Sequence, residues 1–467
     1  MSFYESDTIA AIATPPGEGG VGIVRISGPE VWSIADKIFC AMDGVPVSER
    51  PHGTFAYGRV LDGSGVEIDT GLALVMRAPK SYTREDVVEI QGHGGTVGMR
   101  RILRRVLEAG ARLAEPGEFT KRAFLNGRID LVQAEGICDL IRARSDRAAS
   151  AAMEQMEGRL SEQFGGIYDA FLEVAANLET TLDFAEQELP ESVLQGIMDR
   201  LDQTFGTLDA LLNTWDEGRL LREGARVVIL GRPNAGKSTL LNALLGYDRA
   251  IVSSVAGTTR DTIEEGFVLD GIPLRIIDTA GLRETDCAIE AEGIRRAEAH
   301  RQEAQLAIYL IDASQPLHPE DEARLRNLAP ERSVVVLNKT DLGNQVSSFQ
   351  FPVSGFKFQV SSFVETSLVS GKGISELKQA MARVLEQGAD LQTPPHAVIS
   401  ERHRQLLVKA HHEAKQARDL LGVNVEENAV LASDHLRAAL DFLGQVTGRI
   451  YHDELLENIF SRFCIGK

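Results

Sequence analysis

The feature that most constrains the fold of this 467-residue chain is a glycine-containing loop near its middle. Residues 231–238 read Gly-Arg-Pro-Asn-Ala-Gly-Lys-Ser, after the strand-like run Arg226–Leu230 and before a helical run. Such a loop lets backbone N–H groups and a helix N-terminus surround phosphate groups. We predict an α/β domain in which Lys237 reaches β- and γ-phosphates and the Ser238 hydroxyl binds magnesium.

Two further motifs identify the nucleotide. Asp278–Gly281 follows the strand-like run Leu274–Ile277, where an acid can hold magnesium through water and a glycine amide can contact the γ-phosphate. Asn338–Asp341 follows the run Val334–Leu337. The Asp341 carboxylate can accept hydrogen bonds from N1–H and the 2-amino group of guanine, and adenine offers neither donor. The sequence therefore predicts GTP.

The remaining nucleotide motifs are less uniform. Gly257–Asp261 lies where a switch loop would supply Thr259 to magnesium. The motif that backs the guanine base has two candidate placements, Ser367–Gly373, where Leu368 replaces the usual alanine, and Ser361–Ser362. Both remain open from the sequence.

One residue bears on hydrolysis. Leu282 follows the glycine of the Asp-Thr-Ala-Gly motif, where Ras-like proteins carry a water-orienting glutamine. An apolar side chain cannot orient water, so another group and another positive charge must do so. Arg283, Glu284 and Glu290 lie just downstream.

The pattern of periodicity changes along the chain, which predicts several domains. We expect an N-terminal α+β domain over residues 1–126, a helical domain over 127–222 and 387–467, and an inserted Ras-like α/β P-loop GTPase domain over 223–386. Each helical block carries an apolar stripe that needs a partner, which favours one interrupted helical domain. Two separate helical domains remain an alternative.

Composition sets limits on location and partners. The formal net charge is −19, so a tRNA or DNA partner would need a local basic patch or a second protein. The four cysteines lack metal-ligand spacing, which favours reduced thiols in a cytoplasmic protein. The N-terminal residues show no leader pattern, and no apolar run reaches the roughly 18 residues that span a membrane.

Four other segments carry a resemblance to one family, and the last of them is highly specific. They are Asp7–Ser27, Tyr82–Gly95, Pro116–Asn126 and the tail Phe460–Lys467, which ends Cys-Ile-Gly-Lys. With the nucleotide motifs, they make the chain resemble the MnmE (TrmE) family of tRNA modification GTPases along nearly its whole length.

The resemblance implies a modification chemistry. Members form a homodimer through a folate-binding N-terminal domain. They act with an FAD-dependent subunit, in a heterotetramer or larger assembly, on tRNA held mainly by that subunit. A one-carbon unit of 5-formyl- or methylene-tetrahydrofolate joins C5 of the wobble uridine to an amine from glycine or ammonia. By the same resemblance Arg25, Glu89 and Lys467 bind folate, Arg128 stands where a lysine is common, and the Cys464 thiol is tied to the chemistry.

The resemblance also addresses Leu282. Two GTPase domains meet face to face, and a potassium ion replaces the arginine finger. Its implied ligands are Asn234, Ser253 (in place of a threonine), Val255 and Thr258, and Glu290 matches the acid that orients the attacking water. The full predicted GTP-binding set is Asn234, Ala235, Gly236, Lys237, Ser238, Thr239, Ser253, Thr258, Thr259, Asp278, Thr279, Ala280, Gly281, Asn338, Lys339 and Asp341.

The leading interpretation is a potassium-dependent GTP hydrolase coupled to tRNA wobble-uridine modification, with Lys237, Glu290 and Cys464 as its catalytic residues. A ribosome-assembly GTPase is the second, although the sequence shows no basic RNA-binding module. A regulatory GTP switch is the third, and folate binding by residues 1–125 would separate it from the first.

Overall fold

The computed structural model of the chain describes residues 7–183, 191–247, 266–277, 304–346, 363–386 and 398–467. The chain divides into two compact units. The first contains Met1–Cys138, Ser161–Tyr168 and Leu440–Lys467, and the second contains Asp139–Leu160 and Asp169–Ala439.

The strands belong to two sheets, one in each unit. In chain order they are β1 Ile9–Ile12, β2 Gly22–Ser27, β3 Phe39–Ala41, β4 Thr54–Leu61, β5 Glu67–Met76, β6 Val87–Gly92, β7 Arg112–Leu113, β8 Ala225–Gly231, β9 Gly266–Leu269, β10 Ile272–Ile277, β11 Leu306–Asp312, β12 Ser333–Asn338 and β13 Phe363–Glu365.

Some of the α-helices pack on these sheets, and others lie in the parts of the chain between and after the strands. They are α1 Val31–Ile38, α2 Thr96–Glu108, α3 Glu118–Leu125, α4 Leu131–Arg142, α5 Asp146–Met156, α6 Arg159–Asp183, α7 Glu191–Asn213, α8 Trp215–Glu223, α9 Lys237–Tyr247, α10 Pro319–Asn327, α11 Ile374–Glu386, α12 Glu401–Val423, α13 Val425–Thr447 and α14 Asp453–Phe460. Short 3₁₀ turns cover Val47–Glu49, Pro330–Arg332 and Thr340–Leu342.

The first unit is built on a seven-stranded sheet in the order β3-β4-β5-β6-β2-β1-β7. Neighbouring strands are antiparallel except β1 and β7, which are parallel. Helices α1 and α2 cover one face, because their apolar residues recur at helical spacing and pack into one core with alternate sheet residues. The predicted α+β character of the N-terminal region is confirmed.

The opposite face of this sheet carries a different set of side chains. At its β1 end, Ile9 and Ala11 pack with Phe119 of α3. The register then aligns Ala11, Arg25, Glu89, Leu74 and Phe55 in one row across five strands. Since side chains alternate between faces along a strand, this row lies on the face away from α1 and α2.

The second unit contains a six-stranded sheet in the order β13-β12-β11-β8-β10-β9. All neighbours are parallel except β9 and β10. Apolar residues of α9 and α11 form one core with this sheet, and residues of α10 join a second core. Helices alternating with parallel strands give the predicted α/β P-loop domain.

The helices before and after this sheet pack on each other. Arg418 of α12 forms an ion pair with Asp202 of α7 at 2.6 Å. Arg222 of α8 donates hydrogen bonds to the carbonyls of Val398 and Ile399, where the chain returns from the sheet. The α/β domain is therefore inserted in a helical framework, as predicted. Within the described residues, no helix is long and apolar enough to cross a membrane.

Candidate functional site

The loop after β8 has the backbone geometry of a phosphate cradle. Gly231 and Gly236 have φ of 144° and 104°, and Asn234 has a φ of 63°. A side chain at Gly236 would collide with the amide nitrogen of Asn338, and one at Gly231 would lie 2.5 Å from the Leu310 carbonyl. Both glycines are therefore required by close packing as well as by conformation.

Lys237 and the start of α9 complete this cradle. The ammonium of Lys237 donates hydrogen bonds to the carbonyls of Gly231 at 2.9 Å and Arg232 at 3.1 Å. Ser238 and Thr239 follow in the first turn of α9 and are exposed, whereas Ala235 is buried. A cation and the first-turn N–H groups of α9 thus face one loop, which is the arrangement that binds a polyphosphate.

Asn338 connects three of the predicted nucleotide motifs. Its buried side-chain amide donates to the carbonyl of Ala235 at 2.8 Å. Its oxygen accepts from the backbone N–H of Leu368 at 3.3 Å and the hydroxyl of Thr366 at 3.4 Å. The segment at Leu368 is thereby held beside the phosphate loop, which supports the first placement of the base-backing motif. Ser361 and Ser362 lie outside the described residues.

Lys339 has a partner that the sequence motifs did not indicate. Its ammonium lies 2.7 Å from a carboxylate oxygen of Asp312, the last residue of β11. Burial raises the pKa of Asp312, but hydrogen bonds from Lys339 and Ser314 outweigh it, so the pKa is lowered overall. The sequence did contain one signal for this contact, because Asp312 is an acid at the carboxyl end of β11, the strand beside β12. Asp341 lies exposed in the following 3₁₀ turn, accessible to a base.

A second polar cluster lies on the first unit's sheet, on the face away from α1 and α2. Arg25 forms an ion pair with Glu89 at 2.8 Å, with side chains 15% and 10% exposed. The Arg25 guanidinium also lies 5.4 Å from the ring centre of Tyr82 and 5.6 Å from that of Phe119. Arg25 is thus fixed by charge and by two aromatic rings.

Arg128 and Lys467 add positive charge to this cluster. The Arg128 guanidinium lies 5.0 Å from the centre of the Tyr82 ring and donates to the Ser81 carbonyl at 3.0 Å. Burial lowers the pKa of the Lys467 ammonium, the nearby Arg25 lowers it further, and Glu89 opposes the decrease. Tyr82, which no motif had singled out as a site residue, has its ring centre within 5.4 Å of both guanidinium groups.

The tail that carries Cys464 is held against the same sheet. The Gly466 carbonyl accepts a hydrogen bond from Arg25 at 3.3 Å, and the Cys464 carbonyl accepts one from the Gly117 N–H at 3.4 Å. Gly466 has a φ of 96° and approaches the backbone of Ile12 and Ala13. The Cys464 side chain is an exposed free thiol. The structure therefore brings Arg25, Glu89, Arg128 and Lys467 into one region, with the Cys464 backbone beside them.

Comparison with known proteins bears on both sites. Residues 131–464 match the family model for the MnmE helical domain, and residues 8–128 match that for the GTP-binding protein TrmE N-terminus. The chain is 45% identical over 469 residues to the tRNA modification GTPase MnmE of Geobacter sulfurreducens, covering 99% of this chain and 100% of that protein. Identity to MnmE of Geobacillus kaustophilus is 42% over 466 residues, covering 99% and 100%. This chain belongs to the MnmE family.

Membership in the MnmE family confirms the resemblance and the prediction of a GTP hydrolase. Several residues named in the sequence analysis, from the motifs or from the resemblance, lie outside the described part of the chain. They are Ser253, Val255, Thr258, Thr259, Asp278, Thr279, Ala280, Gly281, Leu282, Arg283, Glu284 and Glu290. Their roles stay predictions.

Proposed function

We propose that this chain is a potassium-dependent GTPase that modifies C5 of the wobble uridine, position 34, of certain tRNAs. With an FAD-dependent partner subunit, it forms carboxymethylaminomethyluridine or aminomethyluridine from a folate one-carbon unit and an amine, which is glycine or ammonia respectively. The observation that carries the proposal is the cationic cluster of Arg25, Arg128 and Lys467 on a second domain of a GTPase chain. A GTP switch without modification chemistry has no need of such a cluster.

The chemistry of this cluster fits a tetrahydrofolate. A folate combines a flat pterin, with N–H donors and ring acceptors, and a glutamate tail with carboxylates. Glu89 offers an acceptor for N–H groups, and the cations Arg25, Arg128 and Lys467 suit carboxylates and ring carbonyls. When bound, the folate supplies the one-carbon unit, and these residues hold and orient it. We assign the exposed Cys464 thiol to the same chemistry.

The nucleotide site is assigned on the same basis. Lys237 and the loop amides bind the phosphates, Asn338, Lys339 and Asp341 secure the guanine side, and Ser238 with Thr259 holds magnesium. We propose Asn234, Ser253, Val255 and Thr258 as potassium ligands and Glu290 as the residue that orients water. The left-handed backbone at Asn234 sets its side chain on the exposed surface of the loop, consistent with this role.

We propose that the chain works as a homodimer through the N-terminal sheet. Beyond Glu89, the row of side chains continues into Leu72 and Leu74, which are partly exposed, and Phe55 and Tyr57, which are 66% and 56% exposed. An apolar face of this kind is typical of a protein interface. A second copy seated there would lie next to the Arg25 cluster and close one side of the proposed folate site.

The remaining assignments follow the family. We propose domain boundaries of 1–126, 127–222, 223–386 and 387–467, a cytoplasmic location, and assembly with the FAD-dependent subunit into a heterotetramer or larger complex. GTP hydrolysis drives a conformational cycle of paired GTPase domains and does not transfer a phosphoryl group to tRNA.

Nucleoside mass spectrometry of tRNA tests the proposal. Cells lacking the chain should lose the C5-modified wobble uridine. Wild type should restore it, and Lys237→Ala and Cys464→Ser should not. Cys40→Ser, which alters another exposed thiol, is the matched control and should restore it. An unchanged nucleoside profile in cells lacking the chain would refute the modification role and favour ribosome assembly, while the GTPase assignment would stand.

A further inference from the structure

Helix α2 carries an unusual charge pattern for a chain with a net charge of −19. Its sequence, Thr96–Glu108, contains four arginines and a single acid, Glu108. Met99, Ile102 and Val106 form the face that packs on the sheet, so the arginines are confined to the rest of the helix. Packing of the core therefore explains the apolar residues of α2 but not its four positive charges.

One of the four arginines has a structural role. Arg105 is 15% exposed and donates hydrogen bonds to the carbonyls of Leu61 at 3.3 Å and Lys37 at 3.4 Å. Its guanidinium also lies 4.0 Å from Glu108. Arg105 ties α2 to the ends of β4 and α1, and Glu108 is shared with it. The other three arginines of α2 are exposed at the surface.

Arg100, Arg101 and Arg104 are exposed, and none forms an ion pair with another residue in the described ranges. The Arg100 guanidinium donates to the carbonyl of Thr96 in its own helix. By contrast, Arg25 and Arg112 of the same unit lie within 2.8 Å of carboxylates. The three residues on α2 thus form a cationic surface, here called the α2 arginine surface.

The position of this surface keeps it accessible. It lies on the side of the sheet opposite the Arg25 cluster and the exposed Phe55 and Tyr57. Dimerisation through the Phe55 face would leave the α2 arginines of both copies facing solvent. Asp62 lies in electrostatic range of Arg101 and accepts hydrogen bonds from Ser64 and Val66, and Glu108 is one helical turn beyond Arg104. The surface therefore keeps a net positive charge.

Arginine suits one class of partner in particular. Its planar guanidinium makes paired hydrogen bonds to phosphate oxygens, and Arg100 and Arg104 lie about 6 Å apart along the helix axis, one turn from each other. A chain that is acidic overall repels polyphosphate unless it offers a local cationic surface. Phosphate contacts of this kind position a nucleic acid without reading its sequence.

We propose that the α2 arginine surface binds the sugar–phosphate backbone of tRNA, at a part of the molecule away from the modified base. This inference rests on the proposed function, because the tRNA is the substrate assigned there. The surface is then a positioning element in the chain itself, in addition to the tRNA binding assigned to the partner subunit.

Binding of an unmodified tRNA transcript to the full-length chain tests this inference. The variant is Arg100→Ala/Arg101→Ala/Arg104→Ala. Its matched control is Arg332→Ala/Arg383→Ala/Lys415→Ala, which removes the same charge from exposed sites elsewhere. We expect the α2 variant to bind tRNA roughly 10- to 100-fold more weakly, with a salt-dependence slope lower by about 2 to 3, and the control to bind nearly as wild type. A variant with lysine at the same three α2 positions should keep most of the wild-type salt dependence of tRNA binding. GTP hydrolysis should be unchanged in all variants.

Equal tRNA affinity of the α2 variant and wild type would overturn the inference. So would an equal loss in the control variant, which would indicate only net charge. Loss of binding to the FAD-dependent subunit with retained tRNA affinity would reassign the surface to a protein partner. If the wild-type chain alone shows no tRNA binding, the inference fails, whereas the modification role is decided separately by the nucleoside profile.

Discussion

At the scale of single residues, Asn338 shows how a small amide can fix several loops at once. Its nitrogen needs an acceptor and its oxygen needs donors, and the structure supplies Ala235 on one side and Leu368 and Thr366 on the other. The side chain is buried, so each unsatisfied atom would carry a desolvation cost. The order of the phosphate loop therefore depends on a residue that sits on a different strand.

Replacing Asn338 with aspartate tests this dependence. The new carboxylate keeps the size and can still accept two hydrogen bonds, but it cannot donate to Ala235 and repels that carbonyl. We expect Asn338→Asp to bind GDP about 10- to 100-fold more weakly, measured with a fluorescent analogue. Asn327→Ala, at an exposed amide of α10, is the control and should bind normally. Unchanged affinity in Asn338→Asp would mean that the loop is held by other contacts.

Arg25 has a comparable role in the second polar cluster, where it contacts several other residues of the site. Its removal takes away a cation held by Glu89, Tyr82 and Phe119. We expect Arg25→Ala to weaken binding of a tetrahydrofolate to the full-length chain by about tenfold or more, measured by calorimetry, with normal GTP hydrolysis. Arg59→Ala alters an exposed arginine on the same face of the sheet and should bind as wild type. Equal affinities of the two variants would remove Arg25 from the folate site.

At the scale of elements, ion pairs join the segment just before β1 to strand β7 and helix α3. Arg112 lies 2.6 Å from both Asp7 and Glu118, and Arg122 lies 2.6 Å from Asp7. Burial raises the pKa of Glu118, but hydrogen bonds from Arg112 and from the Glu115 N–H outweigh it, so its pKa is lowered overall. The group is therefore charged in the folded state at a pH where the unfolded chain would begin to bind protons.

A lowered folded-state pKa has a definite consequence for stability. The stabilisation from Glu118 is present above its unfolded pKa and is lost as the pH falls through its folded pKa. We expect Glu118→Gln to be less stable than its parent at pH 7, with the difference shrinking towards pH 3. Urea unfolding followed by Trp32 fluorescence, in a Trp215→Phe background, measures this in the first unit, because the chain has two tryptophans. Glu108→Gln is the exposed control. A difference that does not change with pH would contradict the expectation.

Sequence periodicity gave the type of most elements. The P-loop and the Asn-Lys-Thr-Asp motif lie at the ends of β8 and β12, as predicted. The order of strands in the sheets could not be predicted from the sequence. Strand β1, for example, pairs with β2, which is near it in the chain, and also with β7, which lies about a hundred residues later. The same limit applies to the contact of Asp312 with Lys339 and to the contacts of Tyr82 with Arg25 and Arg128. Such contacts depend on which strands become neighbours, and local pattern does not encode that.

At the scale of the whole molecule, the proposed dimer makes its own prediction. Placing two charges on the apolar row, with Phe55→Glu/Tyr57→Glu, should separate the copies because each charge would be buried against the other copy. We expect a monomer by analytical ultracentrifugation without nucleotide, where wild type is a dimer. Val66→Glu, at another exposed apolar position beyond β4, is the control and should stay dimeric. A dimeric double variant would move the interface away from this face.

The chain enters and leaves the inserted α/β domain at the same place, and this affects how the molecule folds. Arg222 holds the carbonyls of Val398 and Ile399 beside the end of α8, so both ends of the insertion meet at one place. Closing a long disordered loop costs entropy that increases with its length. If the inserted domain folds first, its two ends are already close together. The helices on either side then pair without most of the entropy cost of closing a long loop. The GTPase domain would then serve as the template on which α7 and α12 find each other during folding.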